Sequence, residues 1–193
     1  KNAATADLAS ANAYASVDHN GVVTGKKIGN ATIVAVYQGQ KIKRKIHIAG
    51  KKKIALDAGH QSRGDSRKEP VGPGSSVRKA RVAGGATGVA SRVPEYKFTL
   101  SVAKRLQKEL KKRGYEVYMV RTKNNVNISN KKRAMLANKS GADIYIRIHG
   151  DSSGSRGVKG ASIFYPSARN PYVSRLSRSS KRLSKKLLNA YCK

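Results

Sequence analysis

From Lys53 onward the chain alternates short β-branched runs with longer stretches of helical period, and this alternation restricts the fold more than any other feature. Ile54 to Asp57 reads as a short strand ending in Ala58-Gly59-His60. Pro94 opens a helix through Arg113, with Tyr96, Thr99, Val102, Ala103, Leu106 and Leu110 on one face, and Gly114 stops it. Tyr115 to Arg121 reads as a strand, and Ser129 caps a helix that runs to about Ser140. Ile144 to His149 and Ala161 to Tyr165 read as two further strands. Tyr172 to Tyr191 reads as a basic amphipathic helix whose apolar residues are Leu176, Leu183, Leu187 and Leu188. Alternation of this kind predicts an α/β sheet with helices on its faces. Residues 61–92 are rich in Gly, Ser and basic residues without a sustained period, and are expected to form one long functional or mobile loop.

The first fifty residues follow another rule. Ile33, Val34 and Val36 lie in one β-branched run, and Ile42, Ile46 and Ile48 sit at even spacing in a second. Asn20-Gly21 is a strong turn signal and Gly39 a weaker one. Residues 1–50 therefore read as a β module and residues 51–193 as the α/β domain, divided near Gly50-Lys51-Lys52-Lys53. Fifty residues supply only part of a sandwich of about seven strands. The chain starts on Lys1 without a charged-then-apolar leader, so the expectation is a piece cut from a longer protein.

Composition narrows the partners. The 193 residues carry 41 Lys plus Arg against 10 Asp plus Glu, a net charge of +31. Such a charge suits a polyanion and says nothing about fold. Nucleic acid is the rival partner, but no nucleic-acid motif is present and aromatic residues are not interleaved with Lys and Arg. No apolar stretch approaches the length of a membrane span. The single cysteine, Cys192, excludes an internal disulfide framework and a zinc ribbon.

Two of the four histidines share one context. His60 and His149 each close a predicted strand beside a glycine, Gly59 and Gly150. In open α/β sheets the carboxyl edge is where sites form. Glu95 follows Pro94 at a helix start, which favours a carboxylate. Two imidazoles and one carboxylate, with a fourth position left for water, make a hydrolytic zinc arrangement. Taken singly, the histidines also read as polar rim residues and Glu95 as a dipole partner, and spacing alone leaves both readings open. His19 and His47 lack this context and read as structural or exposed.

These segments together resemble a known family. Leu56-Asp57-Ala58-Gly59-His60 resembles the opening motif of the zinc-dependent N-acetylmuramoyl-L-alanine amidases, and Glu95 with its helix resembles their second motif. Tyr115 to Thr122 resembles the next strand with its Thr–Arg pair, here reversed as Arg121-Thr122. Ile128-Ser129, Arg133 and Ala137-Asn138 match the following helix, and Ala142 to His149 resembles the motif with the last histidine. The resemblance covers about residues 53–193. It implies a mixed, mostly parallel sheet flanked by helices, and hydrolysis of the amide between N-acetylmuramic acid and L-alanine in bacterial peptidoglycan. It also implies one Zn2+ per chain held by His60, Glu95 and His149.

The family's catalytic glutamate stands on a strand after the last helix, which here would lie beyond Lys193. The expectation is therefore a fragment that binds zinc but turns over weakly. Asp57 is expected to orient a neighbour, and Asp151, with Arg63 and Arg92 of the long loop, to meet substrate. Ala15-Ser16-Val17-Asp18, Asn20 to Gly25 and Gly29 to Ile33 resemble the second half of a group 2 bacterial immunoglobulin-like domain. That resemblance implies a secreted or cell-wall setting, of Gram-positive type, with peptidoglycan and anionic wall polymers as partners. The alternative is a non-catalytic surface protein that binds cell wall or another polyanion.

Overall fold

The computed structural model describes residues 7–10, 13–50 and 52–192. It divides into two compact units, Lys1–Lys52 and Lys53–Lys193.

The first unit is all β among its described residues: β1 (Asp7–Ser10), β2 (Ala15–Val17), β3 (Val23–Gly25), β4 (Gly29–Tyr37) and β5 (Gln40–Ile48). β4 and β5 form an antiparallel hairpin in which Tyr37 faces Gln40. Gln38 and Gly39 both take positive φ, 48° and 75°, as a two-residue hairpin turn requires. β1 pairs with the other edge of β4, and β2 pairs with β3 as a second small sheet. Asp18 shapes the Asn20-Gly21 turn, its Oδ1 accepting the backbone N–H of Asn20 at 2.9 Å and of Val22 at 2.8 Å. His19 and His47 are exposed, as expected.

The second unit is built on a parallel sheet of three strands, β6 (Lys53–Ala58), β9 (Glu116–Met119) and β10 (Ile144–Ile148), in the order β10-β6-β9. β6 has a partner on each side, and Ala55 through Ala58 are fully buried. Successive side chains point to opposite faces. Ala58 packs with Leu100 and Ala103 of α1 (Glu95–Lys112), flanked by Met119 and Ile148. Ala55 packs with Val120 and with Ala137 of α2 (Asn130–Lys139), flanked by Tyr118 and Leu136. Ser129 caps α2 as its sequence predicts, accepting the Lys132 N–H at 3.2 Å. The last helix, α3 (Ser177–Tyr191), follows a 3-10 turn over Ser174–Leu176. That turn takes Leu176 off the helix, and the sheltered positions of α3 are Ser177, Ser180, Leu183, Ser184 and Leu188, with Leu187 exposed. Among the described residues no helix is long and apolar enough to cross a membrane.

Two expectations need correction. Residues 61–92 are not one loop: β7 (Asp65–Pro70) and β8 (Arg78–Val82) form an antiparallel hairpin. Arg67, Lys68, Arg78 and Lys79 are all exposed, so the hairpin has no apolar alternation to read. Residues 161–165 form no strand, and Phe164 is 89% exposed. β-rich composition makes a strand only where a partner strand satisfies its backbone, and among the described residues this segment has none. The third sheet strand is also shorter than expected, ending at Met119, although the Val120 N–H still donates to Leu56 O at 2.9 Å.

Candidate metal centre

β6 and β10 are parallel neighbours, with Ala58 opposite Ile148, so the residues after them emerge side by side. The Gly59 N–H donates to Ile148 O at 2.8 Å. A Cβ on Gly59 would stand 2.6 Å from His149 Cε1 and 2.7 Å from Ile148 O, so only glycine allows this approach. Thr99 Oγ1, one turn into α1, donates to Gly59 O at 2.8 Å and docks the helix start against the strand end. Three predicted ligands from three separate elements are thereby brought together.

His60 Nε2 lies 3.2 Å from Glu95 Oε2, and His149 Nδ1 lies 3.0 Å from Glu95 Oε1 and 3.0 Å from His60 Nε2. All the ligand atoms fall within 4.8 Å of one another. His60 Nδ1 is 2.8 Å from the carbonyl of Ala83, which can only accept, so Nδ1 carries a proton and Nε2 is the nitrogen turned to the cluster. Glu95 is 8% exposed. Its Oε1 accepts the Gly150 N–H at 2.8 Å and its Oε2 the Ala86 N–H at 2.9 Å. Burial alone would raise this carboxyl, but those two backbone donors, the His149 ring and the charge of His60 outweigh it and hold the group below its ordinary range. An ionised carboxylate and two inward-facing imidazole nitrogens, one backed by a carbonyl, form the donor set that zinc takes. His149 is 44% exposed at its side chain, so the cluster opens to solvent on that side.

His60 sits at φ 58°, the left-handed region, which costs a non-glycine residue about 1–2 kcal/mol. Two buried arginines hold the backbone there. Arg133, on the buried face of α2, donates from Nη2 to His60 O at 2.8 Å and from Nη1 to Ala58 O at 2.9 Å. Arg121, just past β9, donates from Nε to Ala58 O at 2.8 Å and from Nη2 to Gly59 O at 3.0 Å and Tyr96 O at 2.8 Å. Burial and the neighbouring Arg133 charge bring the Arg121 guanidinium down to about 10. Every carbonyl from Ala58 to His60 is thus bonded by a guanidinium. Sequence reasoning matched both arginines to a motif but gave them no role. The available signal was the position of Arg133, four residues before Ala137 on the core face of α2.

Asp57 orients neighbours, as expected. Its Oδ1 takes Arg133 Nη1 at 2.6 Å, its Oδ2 takes the Tyr145 hydroxyl at 2.7 Å, and Arg147 Nε lies 2.9 Å away. Burial, followed by the Asp57 charge, pushes the Tyr145 hydroxyl above its ordinary value. The residues expected to meet substrate lie apart from these contacts. Arg63 is exposed and borders a separate cavity with Gln61, Asp65 and Arg67. Arg92 is exposed at φ 55°, its N–H bonded to Gly88 O, and Asp151 is exposed with Oδ1 accepting the Ser152 N–H. The 61–92 segment does lie beside the cluster, through Ala83 and Ala86.

A parallel α/β unit with two histidines and a glutamate gathered at its carboxyl edge defines a class of α/β proteins with a candidate metal centre. Residues 54–193 match the protein-family model described as N-acetylmuramoyl-L-alanine amidase, and the chain belongs to that family. Among solved structures it is similar to the N-acetylmuramyl-L-alanine amidase Ami1 of Mycobacterium abscessus, at 27% identity and a TM-score of 0.50, over 55% of this chain and 50% of that one. It is also similar to Ami1 of Mycobacterium smegmatis, at 26% identity and a TM-score of 0.48, over 53% and 48% of the two chains. The chain spans about half the length of these structures. No curated protein matches it.

Proposed function

We propose that residues 53–193 hydrolyse the amide between N-acetylmuramic acid and L-alanine in bacterial peptidoglycan, with a zinc ion held by His60, Glu95 and His149. The observation that carries this reading is the convergence of those three donors at one sheet edge in a chain of this family. When bound, zinc would supply Lewis-acid chemistry, polarising the scissile carbonyl and activating water. The chain's own part is to position. Glu95 stays ionised between two backbone N–H groups, and Ala83 fixes the His60 tautomer. Asp57 is committed to Arg133, Tyr145 and Arg147. Asp151, two residues past His149, and Arg63 and Arg92 are read as meeting the peptide stem.

The β unit is read as part of an immunoglobulin-like module of a secreted, wall-associated protein from a Gram-positive bacterium. Its antiparallel hairpins and its Asn20-Gly21 turn support this.

The test is the release of new L-alanine amino termini from purified peptidoglycan. The expected result is release that a chelator abolishes and added zinc restores, and that His149→Ala lacks. Release unaffected by chelator and by His149→Ala would overturn the reading.

A further inference from the structure

A cavity of about 380 Å3 opens between the β7–β8 hairpin and the start of α2. Lys68, Arg78, Arg81, Lys131 and Lys132 line it against one acid, Glu69. That acid is 8% exposed, and its Oε1 is engaged by the Lys131 N–H at 2.8 Å. Its contact ties the hairpin to α2, and Arg78 Nη2 braces β7 by donating to Lys68 O at 3.0 Å. The Arg81 Nε–H is buried and has no hydrogen-bond partner among the described residues. Five cations are therefore held around one opening on two braced elements. Glu69 and Asp65, the latter 3.7 Å from Arg81 Nη1, offset only part of that charge, so the opening keeps a positive field.

We propose that this groove binds the phosphodiester chain of an anionic cell-wall polymer. A polymer suits the surface better than a single ion, because the exposed Lys79 continues the positive charge of Lys68 and Arg78 along the same hairpin. Single-stranded nucleic acid is disfavoured because no aromatic side chain lines the groove, whose apolar members are Pro70 and Met135, and duplex DNA is left to the test. Single-stranded nucleic acid is held by bases stacked on aromatic rings as well as by backbone charge. The base of the hairpin joins His60 and Ala83, which meet at the metal cluster, so groove and cluster are carried by one connected segment. That the polymer is a wall polymer rests on the proposed peptidoglycan activity, whereas binding is read without hydrolysis and stands or falls separately.

The experiment is fluorescence anisotropy of the full chain with labelled poly(glycerol phosphate) and with duplex DNA of equal charge. The groove pair Lys68→Gln/Lys132→Gln is compared with Lys181→Gln/Lys185→Gln on α3, which removes the same charge from exposed positions elsewhere. At about 0.15 M salt the groove pair should weaken polymer binding about 10-fold and flatten the salt slope by about 1.5–2, while the α3 pair changes it less than about 3-fold. Arg78→Gln with Lys132→Gln replaces the first pair if its thermal melting departs from the parent. Equal losses in groove and α3 variants would overturn the proposal, as would parent chain that ignores the polymer. Tighter, groove-dependent binding of DNA would overturn it in favour of nucleic acid.

Discussion

Arg133 and Asp57 meet at 2.6 Å with neither side chain exposed, and the same guanidinium holds His60 O at 2.8 Å. A charge pair in the core and the backbone of a candidate metal ligand therefore depend on one residue. Removing one partner of a buried pair leaves the other uncompensated, so Arg133→Ala should lower stability by about 3–5 kcal/mol in urea unfolding. Arg133→Lys keeps a charge near Asp57 but loses the fork that reaches His60. It should retain more stability than Arg133→Ala and still lower zinc affinity about 10–100-fold, the scale of an outer-shell change. Zinc titration that shows parent affinity in Arg133→Lys would end the positioning argument.

The ligand set makes a stoichiometric prediction. After dialysis the parent chain should retain one zinc ion by elemental analysis. His149→Ala and Glu95→Gln should each lose it, with affinity falling by more than the about 10–100-fold of an outer-shell change. Folding should persist in both, because the cores against α1 and α2 do not include these side chains. Folded parent protein that retains no zinc would discard the centre.

Gly59 separates backbone from chemistry. The clash of an added Cβ falls on the His149 ring and on the strand carbonyl beside it. Gly59→Ala should push the His149 ring out of place, so zinc affinity should drop while Arg121, Arg133 and Thr99 still bind the surrounding carbonyls. A crystal structure of the variant with zinc bound in the parent arrangement would contradict this.

Short β-branched runs made the parallel sheet legible, the apolar face of α1 and its glycine stop made that helix legible, and the serine cap marked α2. Ser129 and Gly114 marked boundaries that the structure keeps. The three metal-ligand candidates were legible because strand ends and a helix start concentrate sites. The β7–β8 hairpin was not, since its pattern is basic on both faces and what holds it is backbone pairing together with its two acids, Asp65 and Glu69. Ala161 to Tyr165 misled in the opposite direction, showing β composition without a partner strand. The roles of Arg121 and Arg133 lay hidden because a basic residue in sequence reads as solvated. Only the sheet edge, with carbonyls at Ala58, Gly59 and His60 turned toward them, reveals a buried use.

Asp65 gives the hairpin a pH dependence. The side-chain bond from Arg67, at 2.8 and 2.9 Å, outweighs burial and, with the Arg67 backbone N–H and the Arg81 charge, holds the Asp65 carboxyl at about 2. Its ordinary value is 3.8, so between these values the unfolded chain binds more protons than the folded one. The stabilisation is complete above 3.8 and is lost as pH falls toward 2. Asp65→Asn should therefore have a lower urea midpoint than the parent near neutrality, and the gap should close through that window. Comparing two chains at each pH cancels the titration of every other carboxylate. A gap that stays constant down to pH 2 would show that Asp65 gains nothing from Arg67 in solution.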